Sequence, residues 1–300
     1  MLVVDEVAGC DRRRDAVALR GISFRAEPGE IVGVIGAARA GKSTLLRILA
    51  GRRLPASGSV RLEGSADKRS GHVVGYAGEA PLLPPELTGL EWLQYLASHR
   101  CRTPADRTHA VRESIEIGHL ETVGALPIRV YAPDAAQRLA IAGAVLAGTR
   151  LVLLDDVFRV LDPLASQGLA DRIARLAATG RLVILAGKDL AVIERIATRV
   201  LILRDGRLMA DVHTASLSGE RVLELTLVGS ALHFVDRLRD VYPDATRTGT
   251  GIAIPLTRDM TAEQVLATCL AQRIAVAASR VRYRVLEDLL QAAHSGPRAA

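Results

Sequence analysis

Aromatic residues are scarce in this 300-residue chain, with one Trp, three Phe and five Tyr making up 3% of the sequence. Proteins that bind single-stranded nucleic acid use aromatic faces as stacking platforms, and this chain has too few to build one. The net charge of +6 does not restore that reading, because the 39 Lys and Arg residues are scattered along the chain. No nucleic acid partner is expected. Cysteine is equally sparse. Cys10, Cys101 and Cys269 lie far apart with no CxxC spacing, which argues against a disulfide framework or a zinc site and fits a reducing cytoplasm. Long hydrophobic runs are missing too: no segment reaches the roughly 18 to 20 apolar residues that cross a bilayer. The start, Met1-Leu-Val-Val-Asp-Glu6, lacks the basic region of a secretory signal. A soluble or membrane-peripheral protein is expected.

What is present is 49% hydrophobic content, enough for one large core and a smaller appended domain. Residues 1–78 alternate short strand patterns with turns, including Val17 to Phe24, Glu30 to Ile35 and Ser59 to Leu62. Residues 80 to about 148 read as helical, with apolar spacing near 3.6 in Glu86 to His99, Ala105 to Ile117 and Asp134 to Leu146. From Leu151 the α/β pattern resumes. Leu151 to Leu154, Arg181 to Leu185 and Arg199 to Leu203 predict strands, Ser166 to Ala178 a helix, and Asp205-Gly206 a hairpin turn. Near residue 218 a second α/β unit begins, with a strand at Val222 to Val228, a helix after it, a strand at Gly251 to Pro255 and another helix from Thr261. The expected division is 1–215, with a helical subdomain at about 80–148, followed by a small domain at 216–300.

Residues 36–44 carry the most specific chemical pattern: Gly36, Ala37, Ala38, Arg39, Ala40, Gly41, Lys42, Ser43 and Thr44 match G-x-x-x-x-G-K-[ST]. An apolar strand, Ile31 to Ile35, enters this loop and a helix leaves it. Gly36 and Gly41 let backbone amides approach phosphate oxygens, and the helix start near Lys42 presents its positive dipole end. Lys42 is suited to bridge the outer phosphates and Ser43 to ligate Mg²⁺. The second element is Leu151-Val-Leu-Leu-Asp155-Asp156, which sets an acid at the carboxyl end of a central strand, where α/β sheets bind ligands. That acid, Asp155, is a candidate to hold Mg²⁺.

These elements, in this order around a helical insert, resemble the nucleotide-binding subunits of ABC transporters over about residues 2–212. Leu19-Arg-Gly-Ile-Ser-Phe24 and Glu27-Pro-Gly-Glu-Ile31 are similar to the family's lead-in to its phosphate loop. Gly75-Tyr76 to Leu93 is similar to its Q-loop region, Leu161-Asp162-Pro163 to its D-loop, and Arg204-Asp-Gly-Arg207 to the turn closing its core. Arg282 to Leu290, with Leu286-Glu-Asp-Leu289, resembles the end of the C-terminal domain in drug-resistance-type exporter ATPases. The resemblance implies an α/β P-loop NTPase fold of the ABC ATPase type, ATP and Mg²⁺ as cofactors, and nucleotide held at a dimer interface. It also implies a membrane permease as partner and a place on the inner face of the cell membrane through that permease. In the family, the groove that receives the permease lies beside the Q-loop. Here it would involve Pro81 to Tyr95, although core packing of an amphipathic helix is the favoured role of Trp92.

The departures from the family pattern fall on residues that do chemistry. Asp156 stands where the family has the Glu that polarises the attacking water, one methylene shorter. A general base contributes roughly 10² to 10⁴ in rate only within hydrogen-bond reach, so slow turnover is expected. Lys188 stands at the switch histidine and offers a point charge in place of an imidazole. Glu79 stands at the Q-loop glutamine, able to ligand Mg²⁺ but adding negative charge beside a triphosphate. The family's Leu-Ser-Gly-Gly-Gln aligns with Tyr131-Ala-Pro-Asp-Ala135. There Pro133 has no amide hydrogen and Asp134 is negative, so an ordinary helix start without a ligand is the favoured reading. Arg39 occupies a position where the family favours glycine. An aromatic for adenine is missing near Cys10 to Asp15, leaving Arg14 as a cationic substitute.

Each nucleotide in the family's dimer lies between one subunit's phosphate loop and the other's signature. These substitutions therefore favour a heterodimer with a second, intact ATPase subunit over a homodimer. Two other classes compete with the transporter ATPase. A regulatory ATP-binding protein would keep the fold and use nucleotide as a switch. A nucleic-acid-associated ATPase usually carries two cassettes or a long coiled-coil insert, and neither appears here.

Overall fold

The computed structural model describes residues 1–11, 16–63, 74–147, 150–217, 221–227, 231–248, 251–256 and 260–283. The chain separates into two compact units, Met1–Asp211 and Val212–Ala300. In the first unit, β1 (Leu2–Asp11) and β2 (Ala16–Ala26) pair antiparallel. After β3 (Ile31–Ile35) and α1 (Lys42–Leu49) the chain returns as β4 (Ser57–Leu62) on the other side of β1. β1 was not singled out by its pattern, and the reason is local. Glu6 has a φ of 46° and the register shifts around Asp5 to Ala8, so the two-residue alternation is broken inside the strand.

β5 (Val74–Ala77) then leads into three helices, α2 (Gly89–Arg100), α3 (Pro104–Gly118) and α4 (Pro133–Ala147). The helix expected from Glu86 begins three residues later. Thr88 caps it: its Oγ1 accepts from the Glu91 amide, and its own amide donates to Glu91 Oε2 at 2.8 Å. Such a reciprocal box is worth about 1 kcal/mol and fixes the start at Gly89. The three helices bury their own core of Leu93, Ala97, Val111, Leu120, Leu139 and Leu146. Trp92 packs against that core and stacks on Tyr95 with ring centroids 5.6 Å apart, as the core-packing reading anticipated.

The chain then alternates strand and helix through β6 (Leu151–Asp155), α5 (Pro163–Ala178), β7 (Leu182–Ala186), α6 (Leu190–Ile196), β8 (Arg199–Arg204) and β9 (Arg207–His213). The six-stranded sheet has the order β5-β6-β7-β3-β8-β9, and its pairs from β5 to β8 are parallel. β3, β6 and β7 are buried at every position, which explains why they read as continuous apolar runs. α5 starts at Pro163, three residues before the expected Ser166. The Asp162 carboxylate accepts from the Ala165 amide at 2.8 Å, and Pro163 needs no partner for a missing N–H. Between the two sheets, Leu45 and Leu46 of α1 join Leu2, Phe24, Val34 and Leu153 in one core, which anchors the start of α1.

The second unit runs β10 (Arg221–Leu227), α7 (Ala231–Val241), β11 (Thr246–Thr248), β12 (Gly251–Leu256), α8 (Ala262–Ala271) and β13 (Val276–Tyr283). Its strands form an antiparallel sheet ordered β11-β12-β10-β13. Leu223, Leu225, Ile252, Ile254, Val265 and Cys269 make a separate core. The tail pattern Leu286-Glu-Asp-Leu289 lies outside the described residues, as does Arg14.

Candidate functional site

Gly36 to Gly41 connect β3 to α1 at the carboxyl end of a strand flanked on both sides by parallel neighbours. Gly36 has a φ of 151°, and a Cβ there would stand 2.1 Å from the Leu203 carbonyl oxygen. Gly41, at the helix N-cap with φ 104°, would put a Cβ 2.5 Å from the Ala18 carbonyl. The glycines are thus demanded by the protein's own backbone as well as by any ligand. The Asp205-Gly206 turn closes on the same loop: the Gly206 amide donates to the Ala40 carbonyl at 3.2 Å. Ala37 is half-buried, Ala38 exposed and Ala40 buried. Thr44 is buried, and its Cγ2 lies against Gly9 of β1. Arg39 sits exposed at the loop tip with φ 71°, a left-handed conformation that glycine adopts freely and arginine rarely.

Lys42 Nζ donates to the carbonyls of Gly36 at 2.7 Å and Ala37 at 2.9 Å, so the lysine braces its own loop. Burial holds its ammonium below the ordinary lysine value. Asp156 opposes that shift, Lys188 adds to it, and Asp155 opposes it. Next to it, Ser43 Oγ donates to Asp155 Oδ1 at 2.8 Å. Asp155 ends β6 and is 3% exposed. Its second oxygen accepts from the Tyr76 hydroxyl at 2.9 Å. A serine at the amino end of α1, joined to a buried carboxylate at the carboxyl end of β6, forms an oxygen donor set of the kind that suits Mg²⁺. The role of Tyr76 was not read from the sequence; only its place beside the Q-loop position was.

Tyr76 also makes a pH prediction. Burial, then the Asp155 charge and hydrogen bond, push its phenol up to about 12 against weaker opposition from Arg47. A raised phenol keeps its proton in the folded state after the unfolded chain has lost it, near pH 10. Its contribution is therefore fully present below pH 10 and is lost as pH rises towards about 12. Tyr76→Phe is expected to flatten the decline in stability above pH 10, measured as urea midpoints at successive pH values. An unchanged slope would contradict this.

The remaining candidates are placed around this centre. Asp156 follows Asp155 with φ 56°. Its amide donates to the Ala186 carbonyl at 2.7 Å, and its Oδ1 lies beside Gly187. Lys188 is exposed in the turn between β7 and the Asp189 cap of α6, close enough for its charge to act on Lys42. Glu79 Oε1 pairs with Arg159 Nη2 at 2.8 Å. Gln137 of α4 is buried and donates from Nε2 to the Gly78 carbonyl at 3.0 Å, tying the helical insert to the end of β5.

The Tyr131-Ala-Pro-Asp-Ala135 segment is used internally. The Tyr131 hydroxyl donates to the Val123 carbonyl at 2.7 Å, and a Cβ on Gly89 would collide with it at 2.2 Å. Asp134 pairs with Arg138 at 3.1 Å within the first turns of α4. Pro133 opens the helix, in keeping with an ordinary helix start.

A glycine-bounded loop after a central parallel strand, a lysine within it and a serine–aspartate pair beside it define a P-loop nucleotide-binding domain of the ABC ATPase type. A family model described as ABC transporter matches residues 19–159. Over 194 residues the chain is 34% identical to the aliphatic sulfonates import ATP-binding protein SsuB 1 of Xanthomonas axonopodis pv. citri (strain 306), covering 62% of this chain and 74% of that one. It is 28% identical over 263 residues to the daunorubicin resistance ATP-binding protein DrrA3 of Streptomyces coeruleorubidus, covering 84% of this chain and 78% of the relative. A solved ATP-binding subunit of an ABC transporter matches with a TM-score of 0.64 at 26% identity, over 72% of this chain and 91% of the other. The chain belongs to the ABC transporter ATP-binding family. It spans 62% and 64% of the length of two other bacterial relatives. Among the described residues, no helix is long and apolar enough to cross a membrane.

Proposed function

We propose that this chain is the energy-coupling subunit of an ABC exporter that binds MgATP tightly and turns it over slowly by itself. The observation that carries this reading is the contrast between two parts of the site. The loop from Gly36 to Thr44 and the Ser43–Asp155 pair keep the groups that would hold phosphates and Mg²⁺, with Lys42 between them. The catalytic positions are altered: Asp156 offers a shorter carboxylate, Lys188 a cation, and Tyr131 and Asp134 are spent on internal contacts. Bound nucleotide would supply the anionic charge that the loop and Lys42 are built to meet.

A signature already committed to Val123 and Arg138 is poorly suited to hold a nucleotide across a dimer. A second, intact ATPase subunit is therefore favoured over a copy of this chain. The pair would sit on the inner face of the cell membrane through a permease. Export is favoured because the similarity to the daunorubicin resistance protein extends over 84% of the chain, past the first unit.

Nucleotide binding and hydrolysis measured side by side test this, for the purified chain and for its complex with a second, intact ATPase subunit. Binding alone with turnover about 10²-fold or more below that of the complex is expected. Ordinary transporter turnover by the isolated chain, lost on Lys42→Ala, would refute the reading. Binding without turnover in any complex would favour the regulatory, non-transporting class.

A further inference from the structure

We propose that Arg159 is a positioning residue that neutralises Glu79, so that an acid can stand beside the phosphate site without repelling the nucleotide. The inference rests on the proposed function and concerns how this particular site tolerates its unusual charge.

The placement follows from the sheet. β5 and β6 are parallel neighbours with Ala77 opposite Leu154, so their carboxyl ends deliver Gly78-Glu79 and Asp155 to the same edge of the site. Tyr76 on β5 already reaches Asp155, and Ser43 reaches the same carboxylate from α1. Glu79 therefore leaves the sheet next to three groups of the candidate phosphate and Mg²⁺ site. An unpaired carboxylate there would raise the local negative potential where a triphosphate carries three or four charges. Arg159, four residues after Asp155 on the loop that leaves β6, meets Glu79 at 2.8 Å. The pair thus joins the loops leaving two adjacent strands, across 80 residues of chain.

Both side chains are more than half exposed, at 57% and 52%. A pair in that position does little for fold stability, which separates an electrostatic role from a structural one. Its effect belongs to the field at the neighbouring carboxyl ends of β5 and β6, the second of which carries Asp155.

The test is a double-substitution cycle read by ATP affinity, with wild type, Arg159→Ala, Glu79→Gln and the double variant measured with and without Mg²⁺. Arg159→Ala is expected to weaken ATP binding about fivefold to tenfold without Mg²⁺, and less with Mg²⁺, because the metal complex carries two fewer negative charges. The penalty should shrink as salt is raised to about 0.5 M, Arg159→Lys should recover most of it, and the melting temperature should stay within about 2 °C. In the Glu79→Gln background, Arg159→Ala should have no further effect. Equal penalties in both backgrounds, or a penalty indifferent to salt and Mg²⁺, would overturn the assignment of Arg159 alone. Wild-type binding that Lys42→Ala leaves unchanged would overturn the proposed function, and this inference with it.

Discussion

Lys42→Ala is expected to weaken ATP binding by about 100-fold while leaving the protein folded. The lysine makes two hydrogen bonds within the loop, to Gly36 and Ala37, so its removal loosens the backbone that would meet the phosphates. It also removes a cation whose charge interacts with both Asp156 and Asp155, leaving two carboxylates to meet an anionic ligand. Hydrogen bonds to charged groups are worth about 1.5–3 kcal/mol, and 100-fold corresponds to about 2.7 kcal/mol. The cost to folding is smaller, because burial already penalises this ammonium. Calorimetric titration of ATP, paired with a melting curve, checks both halves. An affinity within threefold of wild type would show that the loop is not where nucleotide binds.

The second large effect is on stability. Gly36→Ala would drive a methyl group to 2.1 Å from the Leu203 carbonyl oxygen and 3.1 Å from Ala40 Cβ. Leu203 lies in β8, which is held in register against β3 through Ile35 and Ile202, so neither backbone can give way without unpairing the sheet. A loss of at least about 3 kcal/mol is expected. Gly51 supplies the control. It also has a positive φ, 67°, but a Cβ there meets nothing within 4 Å. Gly51→Ala should cost only about 1–2 kcal/mol, the price of the left-handed backbone. Urea unfolding followed at Trp92, the single tryptophan, reports on the unit that contains both sites. Equal losses for the two variants would show that strain, and not the collision, governs Gly36.

The phosphate loop and the strand ending in Asp155 were legible because their signals are local. A buried parallel strand is a run of apolar residues, and the loop's glycines and lysine are adjacent in sequence. Helix starts were less legible. The apolar spacing in α2 and α5 marks a face, whereas the true starts depend on Thr88 with Glu91 and on Asp162 with Pro163. β1 escaped because its bulge at Glu6 interrupts the alternation. β13 escaped in the same way, since its register against β10 shifts between Val276 and Ala278. The Glu79–Arg159 pair was invisible for a different reason: its partners are far apart in sequence, and only the pairing of β5 with β6 brings their loops together. Tyr131 was read as part of a lost signature, and the structure adds where it went, into the turn at Val123.

The position of β3 has a consequence for biosynthesis. Its five residues, Ile31–Ile35, lie between β7 and β8, which the ribosome makes about 150 residues later. A nascent chain that has already emitted the whole phosphate loop still lacks both flanking strands of its sheet. The apolar run Ile31–Ile35 must wait unpaired through synthesis of the entire helical insert, roughly ten to thirty seconds at ordinary elongation rates. The insert closes its core from contacts within residues 83–146, so it can form during that interval. Nucleotide competence would then arise late and all at once, when residues 182–204 arrive and seat the loop between its neighbours.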